Sequence, residues 1–202
     1  MVLSPFRKEL VMNIELKNIY KSYGENPVLK NFSYVFPEKE INCIMGPSGC
    51  GKTTLLQLIM GFEKADKGEI LGVPYRELSA VFQEDRLCED FTAYTNVAMV
   101  CERSVSKEEI IKNLQEVGLK EAINKPISKL SGGMKRRVAI VRAIMARSKL
   151  IIMDEPFKGL DEKTAALVID YVKKRRGNTT IILVTHSIEE AELIQGKLLF
   201  MK

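Results

Sequence analysis

The chain has 202 residues, 46% of them hydrophobic and 28% charged, enough for one compact domain with a real core, which excludes a disordered tail and a protein carrying its own membrane spans. Its 31 Lys and Arg against 26 Asp and Glu leave a net charge of +5, scattered rather than blocked, so nothing in the charge pattern calls for a nucleic-acid partner. No apolar run approaches the roughly 18 residues of a bilayer crossing, MVLSPFRKELVM lacks a secretory core, and Cys43, Cys50, Cys88 and Cys101 show neither metal-ligand nor redox spacing, so the expected setting is the cytoplasm, with reduced thiols.

The strand pattern begins at MNIELKNI, which leaves residues 1–11 as a loose extension or an upstream start. Ile14–Ile19 and Val28–Phe36 are predicted strands. The intervening Tyr23-Gly24-Glu25-Asn26-Pro27 suits a hairpin, so the pair is expected to run antiparallel. Ile41–Met45, INCIM, is the unbroken apolar run of a buried strand. It feeds directly into Gly46-Pro47-Ser48-Gly49-Cys50-Gly51-Lys52-Thr53-Thr54, a match to GxxxxGK[ST], and then into a predicted helix over Lys52–Gly61. Glycines let consecutive N–H groups turn inward around an anion, and the helix N-terminus adds positive potential, so polyphosphate is the natural guest. Lys52 is expected to reach the β- and γ-phosphates as a point charge, and the Thr53 hydroxyl to serve Mg²⁺.

Short strands follow at Glu69–Leu71 and Ser79–Phe82, after which strand signals vanish. Helices predicted over Ala93–Glu102 and Lys107–Val117 make residues 85–130 a helical subdomain inserted in the core. Leu130-Ser131-Gly132-Gly133-Met134 opens the helix Gly132–Ala146 with Ser131 as N-cap. Two glycines in a first turn weaken a helix and favour close approach of an anion, making a second phosphate cradle. Leu150–Met153 is a strand that delivers Asp154 and Glu155 at its C-terminal end, where parallel sheets place ligands. Alternation along a strand sends these carboxylates apart: Asp154 suits Mg²⁺, and Glu155 a general base on water. Helix Glu162–Arg175 follows Asp161, strand Thr180–Val184 leads to His186, and helix Ile188–Ile194 precedes strand Lys197–Phe200.

This alternation predicts a single α/β domain over residues 1–202. Its core is a phosphate-loop NTPase fold with a mainly parallel sheet and an N-terminal antiparallel β portion (residues 1–84 and 131–202), carrying the helical subdomain. The chain resembles the nucleotide-binding subunit of ATP-binding cassette (ABC) transporters along nearly its whole length: LSGGM, lying between the phosphate loop and the acidic strand, is similar to the family signature LSGGQ. Gln83 in VFQEDRL matches the glutamine loop, Gly159-Leu160-Asp161 the aspartate loop, His186 the histidine switch and Tyr23 the adenine-stacking aromatic.

The resemblance implies an ATPase that closes head to tail with a second ABC subunit, a second copy of itself in a homodimer. Each ATP would lie between one phosphate loop and the Ser131, Gly132 and Gly133 turn of the other subunit. Gln83 would contact Mg²⁺ or water and report to the membrane partner, His186 would hold the γ-phosphate and the attacking water, and Asp161 would link the two sites. Implied partners are integral membrane permease subunits and an extracytoplasmic solute-binding protein, with the chain peripheral on the inner face of the cell membrane. VFQEDRL and DEPFKGLD resemble the importers of nitrate, sulfonate and taurine; an exporter or lipoprotein-release ATPase shares the same motifs, and ABC ATPases acting on DNA or ribosomes are the reading from another class. Without the resemblance, Tyr23 reads as a packing aromatic, Gln83 as an ordinary loop residue, and Asp161 equally as an N-cap. Two positions depart from the family: Met134 stands for the signature glutamine, and Lys158 where a small residue is commoner. With Lys202 at the end of the sequence, the helices many members add there are not expected, so dimerisation would lean on ATP and the membrane partner.

Overall fold

The computed structural model describes residues 13–202, and the extension expected over residues 1–11 lies outside them. β1 (Ile14–Tyr23) and β2 (Asn26–Phe36) pair antiparallel across a tight turn at Gly24-Glu25, with Tyr23 opposite Asn26. β3 (Ile41–Met45) leaves for a second sheet, whereas β4 (Lys67–Leu71) returns to the free edge of β1, giving the order β2-β1-β4. β1 outruns its predicted end at Ile19. Register shifts between Leu16 and Ser22, with Asn18 at φ 50°, break the alternation that a sequence pattern needs, yet pairing with β2 continues beyond them.

The second sheet is parallel throughout and adds β5 (Leu78–Val81), β6 (Leu150–Asp154), β7 (Thr180–Val184) and β8 (Lys197–Phe200) in the order β5-β6-β7-β3-β8. β3 and β7 are buried at every residue because both faces of this sheet are covered. Alternate residues feed two cores. Cys43, Met153 and Leu183 point to one side with α2 (Ala93–Ala98), α3 (Lys107–Glu116), α4 (Gly132–Met145), α5 (Glu162–Arg175) and α6 (Ile188–Ile194); Ile44, Ile152 and Ile182 point to the other with α1 (Lys52–Met60) and the antiparallel sheet. Each such Leu, Ile or Met side chain contributes about 1.5–3 kcal/mol by leaving water.

Helix α2 stops at Ala98, short of the predicted Glu102, because the Val100 and Cys101 amides turn back three residues, to Val97 O and Ala98 O. Ala93 and Val97 of α2 and Ile110 and Leu114 of α3 share one buried cluster with the sheet. Among the described residues no helix is long and apolar enough to cross a membrane.

Candidate functional site

Strand order brings the motifs together. Val184 at the end of β7 pairs with Ile44 on one side and Asp154 on the other, so the loops leaving β3, β6 and β7 emerge side by side at one edge of the sheet. The phosphate loop, the acidic pair and His186 are those loops. Thr185 N donates to Ile44 O (3.2 Å) and Glu155 N to Val184 O (3.0 Å), fixing their mutual height.

Gly51 sits at φ 97° as the N-cap of α1 and makes no side-chain cap, whereas Thr92, Ser106, Ser131, Asp161 and Ser187 cap the N-termini of α2 to α6 with their side chains. The uncapped first turn of α1 therefore keeps its N–H groups for an anion. A Cβ on Gly51 would lie 2.8 Å from Val28 Cγ1, and one on Gly46 2.5 Å from Met201 O, so the loop is pressed against β2 on one side and the residue following β8 on the other. Lys52 is buried, and its ammonium donates to Gly46 O and Pro47 O, both at 2.8 Å. It is parked on the loop's own carbonyls. A cavity of about 330 Å³ lies over the loop, lined by Tyr23, Ser48, Gly51, Lys52, Glu155 and His186 among others. Tyr23 is 44% exposed at its rim, with Lys21 Nζ 5.1 Å from the ring centre, so it is not a core aromatic.

The two carboxylates part as expected, though by a different route. Asp154 ends β6, and Glu155 is turned away by a left-handed backbone at φ 48° rather than by strand alternation. Thr53 Oγ1 donates to Asp154 Oδ2 at 3.2 Å. Burial pushes the Asp154 carboxyl above its ordinary range, outweighing that hydrogen bond. A desolvated carboxylate beside a hydroxyl is a hard-oxygen pair suited to Mg²⁺, which needs few protein ligands because it keeps waters and takes substrate phosphates. Glu155 accepts on both oxygens: Oε1 faces His186 Nε2 at 2.8 Å and Oε2 takes a bond from Lys158 Nζ at 2.6 Å. Burial alone would raise its carboxyl, but these two partners outweigh it and hold the group below the ordinary range.

Gln83 is exposed and shares a cavity of about 230 Å³ with Thr53 and Asp154, whose apolar wall includes Phe62 and Phe82, with Arg86 over the Phe82 ring at 3.9 Å. Sequence reasoning missed what holds this loop. Arg136, buried in α4, donates to Phe82 O (2.6 Å) and Gln83 O and faces Asp85 Oδ1 at 3.1 Å, and Arg142 donates to Arg86 O (2.9 Å). The signal was present in KRRVAIVRAIM, where Arg136 falls on the same helical face as buried Ile140, Ala143 and Ile144.

Ser131 caps α4, its Oγ accepting from Met134 N at 3.3 Å, which leaves its O–H free to donate. Ser131 and Gly132 are exposed, and the residues from Ser131 to Gly133 do not line the cavity over their own phosphate loop. Met134 packs against the core, so the residue that departs from the signature is seated inward. Asp161 is an N-cap in fact: Thr164 N donates to Oδ1 at 3.0 Å and Thr164 Oγ1 to Oδ2 at 2.6 Å.

Residues 29–158 match the family model described as ABC transporter. The chain is 34% identical, over 93% of its length, to the spermidine/putrescine import ATP-binding protein PotA of Mycoplasma capricolum subsp. capricolum, of which it covers 58%. It is 40% identical, over 88% of its length, to PotA of Clostridium acetobutylicum, of which it covers 55%. The chain thus spans little more than half the length of these relatives. The dimeric post-hydrolysis structure of the ATP-binding cassette MJ0796 bound to ADP and Pi matches at TM-score 0.81 and 30% identity, covering 94% of both chains. A bacterial Atm1-family ABC exporter with ATP bound matches at TM-score 0.83 and 21% identity over 96% of this chain and 37% of that one, a likeness of fold.

Proposed function

This chain belongs to the ABC transporter family, and from that premise we propose that it is the ATP-hydrolysing subunit of an importer, closing on a second ABC subunit to drive a small solute through membrane permease subunits. The observation that carries the reading is the convergence, on one sheet edge, of a glycine loop with Lys52, the Thr53–Asp154 oxygen pair, and Glu155 within 2.8 Å of His186.

The residues from Gly46 to Thr54 bind the phosphates. Lys52 leaves the carbonyls of Gly46 and Pro47 for the anion, and Tyr23 stacks on the base. Glu155 takes a proton from water as the water oxygen bonds to the γ-phosphorus and the bridging P–O bond breaks, releasing ADP and phosphate. His186 orients that water and the γ-phosphate. Thr53 and Asp154, with Gln83 in the same cavity, would hold Mg²⁺, which would supply neutralisation of charge on the phosphate oxygens. The exposed Ser131 hydroxyl and the Gly132 and Gly133 turn act on the second subunit's nucleotide, and Asp161, beside the signature turn, carries the state of one site to the other.

The apolar groove beside Gln83 receives the membrane subunits, which place the chain on the inner face of the cell membrane. Solute choice lies with those subunits and an extracytoplasmic binding protein. The PotA names favour a polyamine, whereas VFQEDRL and DEPFKGLD resemble the nitrate, sulfonate and taurine subgroup.

The test is Glu155→Gln, which should bind Mg-ATP as the parent does, accumulate as a dimer and hydrolyse at most about one-hundredth as fast, the scale of a lost general base. Hydrolysis at the parent rate removes Glu155 from its role. With this variant as bait in gently solubilised membranes, a permease recovered with a solute-binding protein supports import. A permease alone supports the exporter that the Atm1 likeness allows, and ribosomes or DNA would overturn the transport reading.

A further inference from the structure

Lys158, whose residue type departs from the family pattern, reaches the Glu155 carboxylate from outside the phosphate cavity. His186 touches Glu155 Oε1 and lines the cavity over the phosphate loop, whereas Lys158 does not line it. Lys158 instead borders a separate cavity of about 300 Å³ with Glu155, Thr185, His186, Ser187 and Glu190. Its ammonium is 2.6 Å from Oε2, and the Lys158 N–H bonds Glu155 O at 3.3 Å, so a tight local turn builds the contact into the chain. The Glu155 side chain is 15% exposed and that of Lys158 62%. Each carboxylate oxygen thus has a partner, and the Lys158 ammonium fills one of the two lone-pair positions of Oε2, where a water must compete with it.

The same turn reaches the signature. A Cβ on Gly133 would meet Leu160 Cδ2 at 3.3 Å and Gly159 O at 3.7 Å, so the two residues that follow Lys158 lie against the first turn of α4. Gly159 at φ 79° gives that loop a sharp bend immediately after Lys158.

We propose that Lys158 is a clamp on Glu155, which competes with water for Oε2 until engagement of the Gly132-Gly133 turn shifts the adjoining loop and draws the ammonium away. Lys158 is then a positioning residue that ties hydrolysis to assembly and lowers futile turnover in the isolated chain. The proposal rests on the reading of Glu155 as general base.

The experiment compares Lys158→Ala, Lys158→Arg and Glu155→Gln in the full chain with Mg-ATP and no membrane partner. Because clamped and released loops exchange within the ATP-engaged dimer, Lys158→Ala should raise kcat about three- to fivefold, the scale on which a partly exposed ion pair acts, with KM for ATP unchanged, and Lys158→Arg should keep the parent rate. The ATP-driven dimer fraction, measured in the Glu155→Gln background, should be the same with and without Lys158→Ala. A kcat for Lys158→Ala at or below the parent, an equal gain for Lys158→Arg, or a larger dimer fraction overturns the clamp. If Glu155→Gln is inert while Lys158→Ala gains nothing, the clamp alone fails; if Glu155→Gln hydrolyses normally, the base assignment fails first.

Discussion

The Lys52 ammonium sits in a nearly dry position, and two backbone carbonyls hold it there. Those carbonyls are weak partners beside a polyphosphate, so the ammonium is ready to change hands. Lys52→Ala should therefore weaken Mg-ATP binding by tenfold or more, about 1.4 kcal/mol, in a calorimetric titration, and an unchanged affinity would remove Lys52 from the cradle. Lys52, Asp154, Glu155 and His186 were legible in the sequence because each follows an apolar strand at the position where parallel sheets hold ligands. Arg136 was not, because its partners Phe82 and Gln83 stand more than fifty positions away in the chain. Nor was the Lys158 contact, which depends on Glu155 adopting φ 48° rather than continuing the strand.

Between elements, polar ties supplement the apolar core. Glu116 at the end of α3 receives Arg175 at the end of α5, with Nε 2.9 Å from Oε2. The Arg175 hydrogen bond holds the Glu116 carboxyl below its ordinary 4.5. Because the folded value is the lower one, the stabilisation is complete above about pH 4.5 and is lost as pH falls through the folded value. Glu116→Gln should thus lose about 1 kcal/mol at neutral pH, a deficit that shrinks as pH falls through the folded value. Urea midpoints at neutral and acid pH check this, and a gap that does not close in acid would assign the loss to packing. Element positions were largely readable: β3, β7, β8, α5 and α6 run from the first to the last predicted residue, since each has an unbroken apolar run or a helical stripe between clear stops. The miss at α2 has a local cause, since VAMVC is apolar enough to extend the helix while its amides close into three-residue turns.

At the scale of the whole molecule, each chain carries a phosphate loop and a signature turn that do not meet within it. If two copies share each nucleotide, defects in the two parts should complement. Lys52→Ala lacks the loop but keeps the turn, and Ser131→Arg does the reverse, so each alone is expected to be inactive. Mixed in equal amounts they form heterodimers with one intact site, and ATPase activity should return; no recovery would mean that each chain works alone. The antiparallel sheet, the helices and the parallel sheet enclose two cores whose alternating residues were visible in the strands, but the strand order that joins β3 to β8 was not. That order has a consequence for synthesis. Met201 N donates to Met45 O at 2.8 Å, and its carbonyl backs Gly46, yet β8 is made about 150 residues after β3. A growing chain on the ribosome exposes the glycine loop long before its rear wall exists, so nucleotide binding by the loop is expected to firm up only once β8 has emerged.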